Sequence, residues 1–169
     1  MSKLRLIFLA VILFTTLGAC AKEEPPAPTE PYYDIYVYPV YSGSDEWKAL
    51  SDKGERMAAC QLPEEYLRTA KTADLLATVL DYPYLIDIDA YPDKGLGLDV
   101  AVHSFNGLAE LMQREDLKET IQHFEIDKLY LRGPGSRLPK GSVELKLKQF
   151  LTYYENGYTP SKPYIESQP

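Results

Sequence analysis

The chain has 169 residues, with 18 basic against 25 acidic side chains and a formal net charge of −7. Such a balance excludes a nucleic-acid partner and a polybasic hold on anionic headgroups, both of which need clustered Lys and Arg. Two cysteines and two histidines leave little material for a disulfide framework or a zinc centre.

The first element is not part of a folded body. Lys3 and Arg5 form a basic flank, Leu6 to Phe14 is an unbroken apolar run, and the small residues Gly18 and Ala19 follow. This is the layout of a secretory signal: basic start, apolar middle, small-residue cleavage site. The run falls short of the ~20 apolar residues needed to cross a bilayer.

Leu17-Gly18-Ala19-Cys20 resembles the lipobox of bacterial lipoproteins. The resemblance implies cleavage before Cys20, a diacylglycerol joined to its sulfur, and residence on the extracytoplasmic face of a cell membrane. A thiol forms a stable thioether, and small neighbours let enzymes reach the backbone. Each buried methylene contributes ~0.8 kcal/mol, so two or three acyl chains hold where one holds only marginally. The plainer alternative is an ordinary secretory signal with an incidental cysteine.

Removal of residues 1–19 takes away Lys3 and Arg5 and no acid, which leaves 16 basic against 25 acidic groups and a net charge of −9. That suits an acidic body standing clear of an anionic bilayer. Cys60 is then the only thiol, and its setting in MAACQL predicts a buried packing role, with intermolecular pairing and nucleophilic work as alternatives.

Residues 21–31, AKEEPPAPTEP, carry prolines at 25, 26, 28 and 31. Proline fixes φ and biases its predecessor to extended geometry, so eleven such residues make a semi-rigid spacer of about 34 Å. The expected organisation is a signal over 1–19, a lipidated cysteine and tether over 20–31, one domain over 32–158 and a polar, proline-rich tail over 159–169.

The domain opens on YYDIYVYPVY, which places Tyr32, Tyr33, Tyr36, Tyr38 and Tyr41 in one short stretch. Alternation predicts an extended segment, and Pro39 confines it to an edge or irregular strand. Packing against the body is one role for these rings. A contact surface for a peptide or sugar is the other, because a tyrosine offers an apolar face and a polar tip.

Most of the remainder reads as helix. Ser44 caps a short turn holding Trp47 and Leu50, and residues 52–61 form a second helix ended by Pro63, which opens a third. Thr72 is the expected cap of ADLLATVLDY, whose Leu75, Leu76, Val79 and Leu80 share a face up to Pro83. Leu98 to Met112 keeps helical spacing with an expected break at Asn106-Gly107. Asp116 caps a helix through Phe124, and Ser142 caps a final helix that Gly157 ends. Strand character is confined to YLIDI at 84–88 and LYLR at 129–132. The expected fold is mainly α: a single domain of five or six short helices with an extended tyrosine-rich N-terminal segment.

Between Met57 and Glu115, the stretches AACQLPEEYL, TADLLATVLDYP and FNGLAELMQRED resemble an uncharacterised helical domain of secreted and lipid-anchored proteins of Gram-positive bacteria. The resemblance covers about a third of the chain and implies a helical fold without an activity.

Motifs that carry chemistry are scarce. DIDAYPDKG is acidic, but a calcium loop starting at Asp87 needs oxygen, glycine and glutamate where the chain has Tyr91, Pro92 and Leu98. A solvated connecting loop is expected instead. His103 and His123 belong to no zinc pattern, and Cys60 lacks the local context of a thiol-protease nucleophile. GPGSRLPKG lacks the ending of a phosphate loop. Glu64-Glu65 and Glu115-Asp116 fall in first turns of helices, where acids suit the macrodipole. No catalytic residue, metal ligand or cofactor is therefore assigned.

The expected function is a lipid-anchored, noncatalytic binding or interaction module of the cell envelope, with a protein or envelope polymer as partner. Its site residues are Cys20 for lipidation and Tyr32, Tyr33, Tyr36, Tyr38 and Tyr41 as contact surface. A cell-wall hydrolase and a small solute-binding lipoprotein are the alternatives.

Overall fold

A computed structural model describes residues 32–130 and 138–157. The signal, Cys20, the tether, the glycine- and proline-rich loop over 131–137 and the tail from 158 lie outside the described residues.

Residues 32–43 are extended or in turns, and helices follow without an intervening strand among the described residues. Several helices begin where the sequence supplies a capping side chain or a proline. Ser44 Oγ accepts from the Trp47 amide and opens α1, Asp45–Ala49. Asp52 accepts from Glu55 N and opens α2, Lys53–Ala59, while Glu55 reaches back to the Ser51 amide. This reciprocal pair satisfies two orphan donors. Pro63 precedes α3, Glu64–Thr69, and a two-residue link leads to α4, Thr72–Leu80. Thr72 is the first residue of α4 rather than its cap. Its hydroxyl donates to Asp116 Oδ1 at 2.7 Å, which ties α4 to a point 44 residues further along the chain.

YLIDI is not a strand. Leu85–Ala90 is a 3₁₀ helix in which Leu85 and Ile88 are each 1 % exposed and Ile86 is 60 % exposed. Two buried residues three apart match the threefold turn of a 3₁₀ helix, not the twofold alternation of a strand. Asp93 then caps α5, Lys94–Ser104. α5 lies so close to the 3₁₀ helix that a Cβ on Gly97 would stand 2.4 Å from the Ile88 carbonyl oxygen.

The expected break falls one residue early, at Phe105, and starts α6, Asn106–Leu111. Two amide side chains fill it. Asn106 accepts from Leu62 N and donates to Leu62 O, while Gln61 accepts from Asn106 N and donates to Ser104 O. α7, Leu117–Gln122, α8, Ile126–Tyr130, and the 16-residue α9, Lys140–Glu155, complete the body. The LYLR expectation fails at its first half, because Leu129 and Tyr130 end α8. α9 starts before Ser142, directly after Pro139, and ends at Asn156 with Gly157 at φ +73° as expected.

The fold is mainly α, as the sequence predicts. Nine α-helices and one 3₁₀ helix are described, more than the five or six expected; the 3₁₀ helix and α8 stand where strand character was read. α4 is central. Residues 75–80 are all buried, and the helix packs on α6 and α7, while α5 joins α6, α9 and the 3₁₀ helix. Phe105, Leu108, Leu111, Leu117 and Phe150 fill the space between them.

Candidate functional site

The tyrosine-rich segment forms a strap, residues 33–40, laid across α4. Its five tyrosines do not present one surface. Tyr38 is 4 % exposed and belongs to the core, while Tyr33 and Tyr36 are partly buried against it. Only Tyr32, 43 % exposed, and Tyr41, 53 % exposed, remain open to solvent, one at each end of the strap. Packing therefore accounts for three of the five rings.

Side chains of the body fasten the strap along its length. The Tyr33 ring stacks on Phe124 at 4.5 Å and 3°, and its hydroxyl accepts from Glu125 N at 2.8 Å. Asp34 N donates to Asp74 Oδ1 at 2.9 Å, and Tyr36 N donates to Thr78 Oγ1 at 3.0 Å. Tyr66 Oη lies 2.6 Å from Thr78 Oγ1 and 3.1 Å from the Asp34 carbonyl, and Tyr38 Oη donates to the Thr78 carbonyl at 3.0 Å. One proton arrangement satisfies the whole set: Thr78 donates to Tyr66, which donates to Asp34 O. Cys60 Sγ meets the Val40 carbonyl at 3.9 Å.

Beneath the strap, aromatic rings run inward. Tyr36 meets Tyr38 edge-on at 5.6 Å, Tyr38 meets Tyr82 at 6.0 Å, and Tyr82 stacks on Phe105 at 3.8 Å and 1°. Burial pushes the Tyr38 phenol well above its ordinary pKa, with the nearby Asp81 charge adding to the rise. Tyr82 is raised likewise by burial, and Tyr66 by burial opposed in part by its bonds to Thr78 and the strap. Apolar surroundings disfavour a phenolate, so these rings stay neutral and act as packing and hydrogen-bond groups.

Open space flanks the strap where it enters the body. A groove of about 450 Å³ lies between the strap and the α3–α4 link, lined by the Tyr32, Tyr66, Asp34 and Asp74 side chains with Thr69 and Lys71. A second, of about 500 Å³, lies on the far side of Tyr33 against α7 and α8 and includes His123, Glu119 and Glu125. The first joins aromatic faces to two carboxylates and an ammonium, a lining suited to a polar ligand.

The acidic loop is turned inward on its own protein. Asp87 pairs with Lys53 at 2.7 Å, Asp89 with Lys146 at 2.8 Å, and Asp93 caps α5. Burial by itself raises the Asp89 carboxyl, but Lys146, Gln149 and Lys94 outweigh it and hold its pKa below the usual value. Among the described residues no group of three or more His, Cys, Asp or Glu is placed to hold a metal ion. His103 and His123 each turn Nδ1 to the carbonyl four residues back, at 2.7 and 2.9 Å. Cys60 is fully buried and makes no disulfide.

Sequence reasoning did not single out Thr78, Tyr66 or Asp74, the residues that hold the strap. One signal was available: Thr78 is a polar residue in the middle of the apolar α4 face. No protein-family model, curated protein or solved structure matches the chain.

Proposed function

We propose that this protein is a lipid-anchored, noncatalytic interaction module on the extracytoplasmic face of a bacterial cell membrane. The observation that carries the reading is Leu17-Gly18-Ala19-Cys20 directly behind a basic flank and a nine-residue apolar run, from Leu6 to Phe14. Acyl chains on Cys20 hold the chain in the bilayer, and the proline-rich spacer carries the acidic body clear of the headgroups. No described helix is long and apolar enough to cross a membrane, so in this reading the N-terminal lipid is the hold.

The partner is a protein or an envelope polymer. Tyr32 and Tyr33 each line an open groove, and the 450 Å³ groove that the more exposed Tyr32 shares with Asp34, Tyr66 and Asp74 is the contact surface this reading favours. The spacer delivers that groove close to its own attachment point.

Detergent phase partitioning and membrane fractionation of the wild type and Cys20→Ser test the anchor. The wild type enters the detergent phase and sediments with membranes, whereas the variant stays unprocessed or is shed. Equal partitioning of the two proteins overturns the reading.

A further inference from the structure

We infer that the strap is a latch which opens by itself, hinged at Gly43, and uncovers Cys60 and the Tyr82–Phe105 stack while the helices stay folded. The inference begins with how the strap is fastened. The bonds that join Asp34, Tyr36, Tyr38 and Val40 to the body use side chains: Asp74, Thr78 and Tyr66 on the body, Tyr38 on the strap, and the Cys60 thiol. Two of them, from Tyr36 N and Tyr38 Oη, meet at Thr78 or its carbonyl, and Tyr66, which holds the Asp34 carbonyl, is itself bonded to Thr78, so loss of that junction loosens the strap from Asp34 to Tyr38.

The body does not depend on the strap for its own frame. The α4–α6, α5–α6 and α5–3₁₀ interfaces close around Leu75, Leu76, Leu108, Leu111 and Ile88, which are each at most 1 % exposed. What the strap does cover is local: Tyr38 and Val40 lie over Cys60, which is 0 % exposed, and Tyr38 lies beside the Tyr82–Phe105 pair. Opening this one segment gives up the burial of Tyr38 and Val40 and part of that of Tyr33, Ile35 and Tyr36, which is less than the whole molecule gives up on unfolding.

Its outer side is also clear. Val37 is 74 % exposed and Pro39 is exposed, so outward motion displaces nothing else. At the C-terminal end the turn from Tyr41 to Ser44 holds Gly43 at φ +94°, and no atom lies within 4 Å of where its Cβ would be. Glycine adopts that conformation freely and swings out of it without a side-chain clash.

The consequence for an anchored protein rests on the lipoprotein reading. Tension along the spacer acts at Tyr33, the end of the strap, and peels it in order from the Tyr33–Phe124 stack to Asp34, Tyr36 and Tyr38. The opened slot is an aromatic groove that the closed state hides.

Cys60 is the natural reporter, and its chemistry needs no membrane, so this test is independent of the anchor. The full chain with Cys20→Ser carries Cys60 as its one thiol. N-ethylmaleimide labelling is followed as urea is raised, in that background and with Thr78→Val or Val143→Ala added. Local opening predicts a low-urea rate that changes little with urea and rises about tenfold or more with Thr78→Val. Val143→Ala, on the buried face of α9, lowers the unfolding midpoint but leaves the low-urea rate within about twofold. If Thr78→Val does not fold, Tyr38→Phe, which keeps the ring and loses only the bond to the Thr78 carbonyl, must raise the rate in the same way. Labelling that follows the full slope of global unfolding down to zero urea, or an equal acceleration by Val143→Ala, overturns the latch.

Discussion

Tyr66 Oη stands 2.6 Å from Thr78 Oγ1, and through this pair the buried half of α4, apolar but for Thr78, takes hold of an extended segment forty residues away in sequence. Thr78 is 0 % exposed, so each of its polar atoms must find a partner inside the protein. The strap supplies those partners. A polar residue that would be a defect in an isolated α4 becomes the register mark for residues 34–38.

Thr78→Val keeps the volume of the side chain and removes its acceptor. The Tyr36 amide then loses its partner, and stability falls by about 1–3 kcal/mol. Tyr66→Phe costs less, because Thr78 still receives Tyr36 N. The double variant costs less than the sum of the singles, since both act on one network. Urea denaturation of the four proteins measures all three quantities, and strict additivity contradicts a shared network.

Gly97 and Gly107 are both buried glycines, but their neighbours differ in kind. A Cβ at Gly97 meets the Ile88 backbone oxygen at 2.4 Å, whereas at Gly107 it meets the ends of the Phe105 and Leu62 side chains at 2.5 and 2.6 Å. Backbone cannot rotate away, so Gly97→Ala destabilises more than Gly107→Ala, by about 3 kcal/mol against about 1–2 kcal/mol. Thermal melts rank them, and the reverse order refutes this account of the α5–3₁₀ contact.

The Lys146–Asp89 pair gives a pH-dependent prediction. Lys146 has a side chain 1 % exposed on the apolar side of α9, and its ammonium meets Asp89, which is 38 % exposed. Asp89→Ala strands the cation and costs about 3 kcal/mol, while Lys146→Met costs less because a flexible apolar chain fills the same space. The Asp89 carboxyl is held below its unfolded pKa. Its contribution is therefore complete above the ordinary carboxylate value of about 3.9 and is lost as pH falls through the lower folded value. Acid titration of stability is steeper below about pH 4 for the wild type than for Lys146→Met.

The buried phenols act at the other end of the scale. Tyr38 and Tyr82 are raised above the ordinary tyrosine value. The unfolded chain releases those protons first, so stability is full below about pH 10 and declines as pH rises above it. Absorbance of tyrosinate shows a late phase, from Tyr38 and Tyr82, that coincides with loss of helical circular dichroism. A single early phase with helices intact contradicts the burial of these rings.

Much of the helical layout is legible in the sequence because its signals are local. Ser44, Asp52 and Asp93 cap helices through bonds to amides two or three residues on, and Gly157 takes the left-handed conformation that ends α9. The strap's extended form follows from its alternation and Pro39. What the sequence does not disclose depends on partners far along the chain. Thr72 serves Asp116, Asn106 serves Leu62, and Thr78 serves Tyr36, each across more than forty residues. The 3₁₀ helix is hidden for a related reason: four apolar and acidic residues look alternating until the close approach of α5 at Gly97 fixes which of them turn inward. Which of the five tyrosines lie against the core was not legible, because five similar side chains in one stretch carry no mark of which will be buried.

The central claim is attachment through the sulfur of Cys20, and intact mass measures it directly. Protein purified from membranes should weigh the chain from Cys20 onward plus a diacylglycerol, with or without a further acyl group on the new amino terminus, and Cys20→Ser should lack that addition. A membrane-extracted protein with the mass of the whole 169-residue chain, Met1 included and no lipid added, would contradict the account.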